Sequence, residues 1–474
     1  MKRLALALIA ALASGCTLNL TDARARAQAA EDDGGAKAQP FFEVLYTSNS
    51  QGVPVGDFAD VAALIPDGDG GLWAAVSLSE PGAILNLGET PISRLDAQAG
   101  KASGYTLVHL QDGRFVGGSG TLPQAPGAGF QFLGAGRADT GDLYIGVLDA
   151  LPACAVERFA SDGQKIASDQ AIIQTNAQCV FGLSGSGESA FAAFESASAS
   201  DGGRAVVHVV APDLSGDRWS TALTASKELA PQSTAFQGGR LFVGGFYLGD
   251  FNGGAAGMPS CTGATCGFVA AFNPDGGFSQ AVGARASLGT QVIQVAATDA
   301  GLLVGGVGFG DVSFGASGSE CSCPLTRGLF VALLDVDDGL RCLGMACVTK
   351  SSPGFSQFAL TPENTFLIGG GSAGATDAGL PSSGSACDMG VQVQLDELAL
   401  DGGCLGATVG GFWGDIDALS FLGDELWVGG QVNDQLDAPT LTFGDQAAAN
   451  PFGDGGDLGS TAFILHTRRP SAVR

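Results

Sequence analysis

The side chains best able to do chemistry in this 474-residue sequence are its eleven cysteines and three histidines. Cys16 stands alone, and the other ten cysteines form local groups, an even number that suits an oxidising compartment. No group has the paired C-x-x-C spacing of a zinc site. We therefore predict five disulfides. The groups are Cys154 and Cys179; Cys261 and Cys266; Cys321, Cys323, Cys342 and Cys347; and Cys387 and Cys404.

The three histidines, His109, His208 and His466, lie far apart in the sequence. Neither a G-x-S-x-G nor an H-E-x-x-H motif occurs, so the local signals of serine hydrolases and zinc proteases are both missing. His208 and His466 fall in segments with the alternation of strands, and His109 lies near the end of another apolar strand. We interpret all three as structural, and we predict no catalytic and no cofactor-binding residue.

Acidic, glycine-rich turns are the remaining candidates, because calcium prefers oxygen ligands. Three segments qualify by composition: Pro66–Gly71, Asp335–Gly339 and Gly453–Asp457. A calcium loop also needs a bidentate carboxylate at a set distance, which none of the three has. Asp-Gly pairs are typical of hairpin turns, since Gly adopts positive φ without steric cost. We interpret these segments as turns and keep calcium as the open cofactor alternative.

The first sixteen residues have the layout of an export signal. The basic pair Lys2-Arg3 precedes nine apolar residues, far fewer than the roughly 20 that span a bilayer. Ser14-Gly15-Cys16 follows and resembles the lipobox of bacterial lipoproteins. The resemblance implies a signal peptide over residues 1–15 and acylation of Cys16, whose lipid attaches the protein to a membrane. The alternative is an ordinary signal peptide followed by a chance cysteine.

Residues 16–39 have no apolar period and are predicted to form a flexible, lipidated tether, followed by a folded domain over residues 40–474. Thr17, rather than Asp, follows the cysteine. The lipoprotein resemblance then implies localisation to the outer membrane, on its periplasmic or cell-surface side.

The composition of the whole chain limits its partners and its fold class. The net charge is −26, from 22 Lys and Arg against 48 Asp and Glu. This acidity argues against nucleic acid as a partner, because phosphate binding needs a positive field. The chain has 75 Gly residues, and only 15% of its residues are charged. Few helix-favouring Lys and Glu and many small residues favour strands and tight turns.

A short pattern recurs seven times: a polar or Gly turn, three or four apolar residues, then small residues. GRLFVGG at 239–245 and DELWVGG at 424–430 are clear copies. One strand precedes each copy, and two more follow it around an Asp-Gly turn. The spacing of 47 to 71 residues suits the four strands of a propeller blade. GRFVGG at 113–118 also matches but is too close to the next copy, so we predict an outer strand or loop there. The anchor residues of the seven copies are Leu72, Leu143, Ala190, Leu241, Leu302, Phe366 and Leu426.

The two ends of the domain complement each other. The last unit has only three predicted strands and ends with Thr461–Thr467, whereas an unassigned strand, Pro40–Asn49, precedes the first unit. If this strand completes the last blade, no sheet edge stays open. We therefore predict an all-β fold, a single seven-bladed β-propeller of four-stranded blades whose last blade is closed by the N-terminal strand.

The anchor strands resemble the double-Gly strand of Kelch propellers. They are more similar still to the Gly-rich repeats of bacterial surface lipoproteins, in which VGG precedes an Asp- or Phe-Gly turn. The segments that carry this likeness are Val243–Phe251, Val304–Gly315 and Leu441–Asp445. The resemblance implies a Kelch-like propeller of the surface-lipoprotein type.

The repeat also narrows the disulfide pairing. Cys387 and Cys404 flank the third strand and turn of one blade, and Cys323 and Cys342 flank the same elements one blade earlier. Closing a loop of this size contributes about 3 kcal/mol in the chain-entropy model. We therefore predict the pairs Cys387–Cys404, Cys323–Cys342, Cys321–Cys347, Cys261–Cys266 and Cys154–Cys179.

The predicted lipoprotein signal, the predicted disulfides and the lack of a catalytic motif together favour a non-enzymatic propeller that faces the cell surface or the periplasm. It would act as a protein- or glycan-binding module or as a structural one, because function resides in sites grafted on a fold. The alternative is a calcium-dependent hydrolase or lyase with acidic ligands at the channel mouth. Such ligands come from different blades and carry no local motif.

Overall fold

The computed structural model describes residues 41–48, 54–55, 59–67, 71–78, 84–87, 90–94, 104–111, 114–118, 131–149, 153–174, 179–195, 202–252, 258–315, 321–349, 356–371, 393–410, 412, 414–422, 425–432, 440–449 and 461–467. Every regular element within them is a β-strand, and they contain no helix able to cross a membrane. Cys16 and the predicted tether lie outside the described residues.

The first strands in chain order are β1 (Phe41–Ser48), β2 (Pro54–Val55), β3 (Ala59–Pro66), β4 (Gly71–Leu78), β5 (Ile84–Leu87), β6 (Thr90–Arg94), β7 (Gly104–Gln111), β8 (Arg114–Gly118), β9 (Gln131–Arg137), β10 (Leu143–Asp149), β11 (Ala153–Phe159) and β12 (Lys165–Gln174). The next are β13 (Cys179–Leu183), β14 (Ser189–Glu195), β15 (Gly203–Val210), β16 (Asp217–Ala225), β17 (Glu228–Gln237), β18 (Arg240–Gly249), β19 (Cys261–Phe272), β20 (Phe278–Arg285), β21 (Gly289–Thr298), β22 (Gly301–Phe309), β23 (Val312–Phe314) and β24 (Cys321–Cys323). The last are β25 (Arg327–Asp335), β26 (Arg341–Thr349), β27 (Ser356–Leu360), β28 (Phe366–Gly370), β29 (Gln394–Leu398), β30 (Cys404–Val409), β31 (Gly414–Leu422), β32 (Glu425–Val432), β33 (Thr440–Phe443), β34 (Gln446–Ala449) and β35 (Thr461–Thr467).

Seven antiparallel four-stranded blades form a ring. From the innermost strand outward they are β3-β4-β7-β8, β9-β10-β11-β12, β13-β14-β15-β16, β17-β18-β19-β20, β21-β22-β25-β26, β27-β28-β29-β30 and β31-β32-β35-β1, numbered blades 1 to 7. Each innermost strand packs against the innermost strand of the next blade, and β31 returns to β3. The predicted seven-bladed propeller is confirmed, and all seven anchors lie on second strands, including Leu72 on β4 and Leu426 on β32.

The N-terminal strand closes the ring. β1 pairs antiparallel with β35, so that Phe41 lies opposite His466 and Leu45 lies opposite Ala462. β35 pairs in turn with the anchor strand β32. The predicted closure of the last blade by the N-terminal strand is therefore confirmed. RFVGG of the additional copy forms β8, the outermost strand of blade 1, which is one of the two placements that its spacing predicts.

The double glycines of the anchor strands allow close packing in two directions. A Cβ atom on Gly429 would lie 2.5 Å from Val61 Cγ1, on the innermost strand of the next blade. A Cβ atom on Gly430 would overlap the backbone carbonyl of Asp415, on the innermost strand of the same blade. Blades 4 and 5 show the same division between their first and second glycine. The VGG pattern is thus a packing requirement on both sides of the anchor.

Connection lengths distinguish the two ends of the ring. Within each blade the first and second strands are joined by six residues or fewer, and so are the third and fourth strands of blades 1 to 6. We call this end the turn face. The second and third strands are joined at the opposite end, the loop face. There the connections contain 25 residues in blade 1, 23 in blade 6 and 28 in blade 7.

Several loop-face connections reach back to the preceding blade. β5, from blade 1, pairs with β1 of blade 7, and β23, from blade 5, pairs with β20 of blade 4. Single bridges join Phe251 of blade 4 to Ala225 of blade 3, and Phe443 of blade 7 to Gly410 of blade 6. Phe251 and Phe443 are buried. The segments that follow the VGG motifs are therefore clasps between neighbouring blades.

Two disulfides reinforce the clasp between blades 4 and 5. They join β24 to β26 as Cys321–Cys342 and Cys323–Cys347. The predicted pairs Cys323–Cys342 and Cys321–Cys347 are wrong. β24 joins the sheet of blade 4 and runs in the same direction as β26. The first cysteine of β24 is therefore bonded to the first cysteine of β26, and the second to the second.

The other disulfides stay within their local groups. Cys154–Cys179 links β11 of blade 2 to β13 of blade 3, and Cys261–Cys266 closes an irregular stretch at the start of β19. Both agree with the predicted pairs. Cys404 is also disulfide-bonded, and its predicted partner, Cys387, lies outside the described residues.

Candidate functional site

Three aspartates meet where the innermost strands of blades 7 and 1 begin, at the loop face. Asp60 is the second residue of β3, and Asp415 and Asp417 are the second and fourth residues of β31. β31 has a β-bulge at Asp417, because Ile416 opposes Gly430 and the next pair is Ala418 with Gly429. A bulge re-aims its extra side chain. Here the Asp417 side chain is hydrogen-bonded to Asp60 of the neighbouring blade.

The hydrogen bond between these two carboxyls requires a proton. Burial raises the pKa of Asp60 to about 6, although its hydrogen bond with Asp417 opposes this shift. Burial and then the negative charge of Asp60 raise the pKa of Asp417 to about 9. The charge of Asp415 raises both pKa values further. At neutral pH the proton therefore resides on Asp417, whose hydroxyl donates to Asp60.

Three further oxygen atoms at this site are available as acceptors. Asp60 Oδ1, Asp417 Oδ2 and Gln431 Oε1 are buried, and they have no hydrogen-bond partner within the described residues. Gln431 Nε2 donates to Asp415 Oδ2 at 3.5 Å. The site can therefore hold a proton, and it has buried oxygen atoms that can accept further hydrogen bonds. Across the described part of the chain, no group of three or more His, Cys, Asp or Glu side chains is arranged to hold a metal ion.

The structure does not bring the three histidines together. They lie on the third strands of blades 1, 3 and 7, namely β7, β15 and β35. His208 Nδ1 is 2.9 Å from Asp217 Oδ2. The other two each contact the ring of a cross-strand tryptophan and a carboxylate of the turn face. These sets are His109, Trp73 and Asp67 in blade 1, and His466, Trp427 and Glu425 in blade 7. Each histidine thus packs within its own blade.

Two of the three predicted acidic turns lie on the turn face. Asp67 Oδ1 accepts a hydrogen bond from the Gly71 amide at 2.8 Å, which closes the turn between β3 and β4. Asp335 Oδ1 accepts the amides of Asp337 and Asp338 in the turn after β25. Both segments are hairpin turns. The third, Gly453–Asp457, lies outside the described residues.

Sequence reasoning missed the aspartate cluster. The available signal was an acidic residue near the start of an otherwise apolar innermost strand, as in ADVAALIP at 59–66 and GDIDALSFL at 414–422. Neither segment matches a known motif. Only ring closure brings the two strands side by side.

Comparisons with known proteins concern the fold alone. No family model matches the chain, and no curated protein matches it. The WD40 domain of Toxoplasma gondii coronin is 10% identical with a TM-score of 0.40, covering 90% of this chain and 88% of that one. A Dyadobacter fermentans protein of unknown function is 11% identical with a TM-score of 0.38, covering 90% and 98%. Kuenenia stuttgartiensis hydrazine synthase is 10% identical with a TM-score of 0.38, covering 63% and 75%. Likenesses this distant do not bear on binding or catalysis.

Proposed function

We propose that this chain is a non-enzymatic, lipid-anchored propeller of the bacterial outer membrane that binds a protein partner on its loop face. The observation that carries the proposal is the difference between the two faces. Tight turns cover one end of the ring, whereas the other end carries connections of up to 28 residues and the aspartate cluster. Long connections on a rigid scaffold are the usual carriers of binding residues.

A protein partner fits the exposed surface better than a glycan. The large apolar side chains exposed within the described residues are all aliphatic. Leu288, which is 75% exposed, lies in the loop-face connection between β20 and β21, and Val409 lies at the loop-face end of β30. Trp73 and Trp427, by contrast, are buried within their blades. The net charge of −26 favours a partner with a basic surface, because complementary charge speeds association.

A photo-crosslinking experiment in native membranes tests the binding face. A photoreactive amino acid replaces Leu288 on the loop face in one variant, and the exposed Asp275, in the turn after β19, in the control variant. We expect specific protein adducts from position 288 and none from position 275. Adducts from position 275 alone, or from neither position, would refute the proposed face. Adducts that a glycosidase removes would identify a glycan partner instead.

The lipid anchor is tested separately. Replacing Cys16 with Ser should abolish incorporation of labelled fatty acid and move the protein from the membrane to the soluble fraction. If the variant remains in the membrane fraction, the lipoprotein assignment is wrong. The adducts from position 288 do not depend on this result.

The alternative function is a calcium-dependent hydrolase or lyase, whose acidic ligands would include the three aspartates of this cluster. Metal analysis of the purified full chain decides between the two functions. Calcium retained at one ion per chain, and lost on Asp60→Asn, would favour the enzyme. A metal-free protein would favour the binding module.

A further inference from the structure

The seam between blade 7 and blade 1 joins opposite ends of the folded chain. β3 belongs to the N-terminal part and β31 to the C-terminal part, and the two innermost strands pack side by side. Val61 of β3 packs against Gly429 of the anchor strand, which makes the seam apolar over much of its length. Asp60 and Asp417 lie in this seam and are hydrogen-bonded across it.

The charges that face this pair are all negative. Asp415, on β31, is the further charge acting on both carboxyls, and Gln431, on β32, is the neutral polar neighbour. Within the described residues, no Lys, Arg or His contributes to the electrostatics of either aspartate. Two ionised carboxylates cannot donate to each other, so loss of the proton replaces a hydrogen bond by repulsion.

We propose that Asp60 and Asp417 share one proton at neutral pH and form a pH-sensitive latch that holds blade 7 against blade 1. In the unfolded chain an aspartate has its ordinary pKa of 3.8 and is ionised above about pH 5. Because the pKa of Asp417 is raised to about 9 in the folded ring, folding takes up a proton at any pH between about 3.8 and about 9. The contribution of this pair to the free energy of unfolding is therefore present at low pH and is lost as the pH rises towards about 9. The limiting slope is tenfold in the folding equilibrium constant per pH unit.

The test is the pH dependence of urea unfolding of the full, disulfide-bonded chain between pH 6 and pH 9. Three pH units at this limiting slope allow at most about a thousandfold change, so we expect the wild-type folding constant to fall by about a hundredfold or more over this range, through this pair. Asp417→Asn keeps a neutral hydrogen-bond donor at position 417 and cannot ionise there. The pH-dependent fall in the folding constant that we assign to the pair should therefore be absent in this variant. Asp142→Asn is the matched control, because Asp142 pairs with Arg158 within blade 2, far from the seam. Its profile should keep the wild-type slope.

A local readout separates the latch from a general effect on stability. Amide-exchange protection factors of β3 and β31 should fall from pH 6 to pH 9 in the wild type more than those of β21 and β22. This difference should disappear in Asp417→Asn. If that variant does not fold, Asp60→Asn should reduce the pH dependence in part, because it removes the charge of Asp60 but leaves Asp417 buried. An unchanged slope in the folded variant would overturn the proposal. So would calcium that raises the wild-type unfolding midpoint at pH 8 but not that of Asp417→Asn, because a cation would then neutralise the cluster.

Discussion

A methyl group added at Gly429 tests whether the double-glycine anchors are required by packing between blades. Its Cβ would lie 2.5 Å from Val61 Cγ1 and 3.0 Å from Val61 Cβ, and it would also press on Leu64 at 3.4 Å. These atoms belong to short side chains on a buried innermost strand, so they cannot move away freely. Overpacking of this kind costs about 1–3 kcal/mol. Removing a glycine from a strand returns about 0.5–1 kcal/mol, so we expect Gly429→Ala to lose about 1–2 kcal/mol of unfolding free energy.

Gly117 provides the matched control, because it stands in the same VGG sequence. It lies on β8, the outermost strand of blade 1, and a Cβ atom there would meet nothing within 4 Å. Gly117→Ala should therefore be neutral or gain about 0.5–1 kcal/mol. Urea unfolding with the disulfides intact measures both variants against the wild type. In a double-mutant cycle, Val61→Ala should make the cost of Gly429→Ala smaller. Equal stabilities of Gly429→Ala and Gly117→Ala would refute the packing argument.

Three further predictions concern the joints of the ring. Deleting β1 should leave the edge of β35 unpaired and cause aggregation, which light scattering detects; a monomeric deletion variant would contradict closure by this strand. Phe443→Ala should cost about 3–5 kcal/mol in urea unfolding, because this clasp residue is buried between blades 6 and 7, and a loss below 1 kcal/mol would show that the clasp is dispensable. Non-reducing peptide mapping should recover Cys321 linked to Cys342, whereas a link from Cys321 to Cys347 would restore the nested pairing.

The features that sequence reasoning predicted correctly depend on local pattern and on counting. Each anchor strand is buried on both faces, so its run of apolar and small residues is visible without knowledge of the fold. Spacing then separated GRFVGG on β8 from the true anchors, although its residues match the motif. The missing fourth strand of the last unit and the spare strand before the first unit predicted the closure by β1, because a closed ring leaves no edge.

The wrong disulfide assignment has a simple geometric origin. Loop lengths alone permit either pairing of the four-cysteine group. The choice depends on the direction of β24 relative to β26, and β24 joins the sheet of another blade. The clasps were missed for the same reason. The Phe-Gly turns after VGG were visible as a pattern, but no local signal shows that Phe251 bridges to blade 3.

The sequence by itself determined the blade count, the strand order within a blade and the way the ring closes, because all three follow from burial periodicity and turn chemistry along the chain. Tertiary structure alone decided which end carries the candidate site. Asp60 and Asp417 are separated by most of the folded chain, and each is an ordinary aspartate in its own segment. Ring closure places their strands side by side, a β-bulge turns Asp417 towards Asp60, and burial raises their pKa values. Contacts of this kind depend on distance in space and on exclusion of water, and neither is encoded at any one position of the chain.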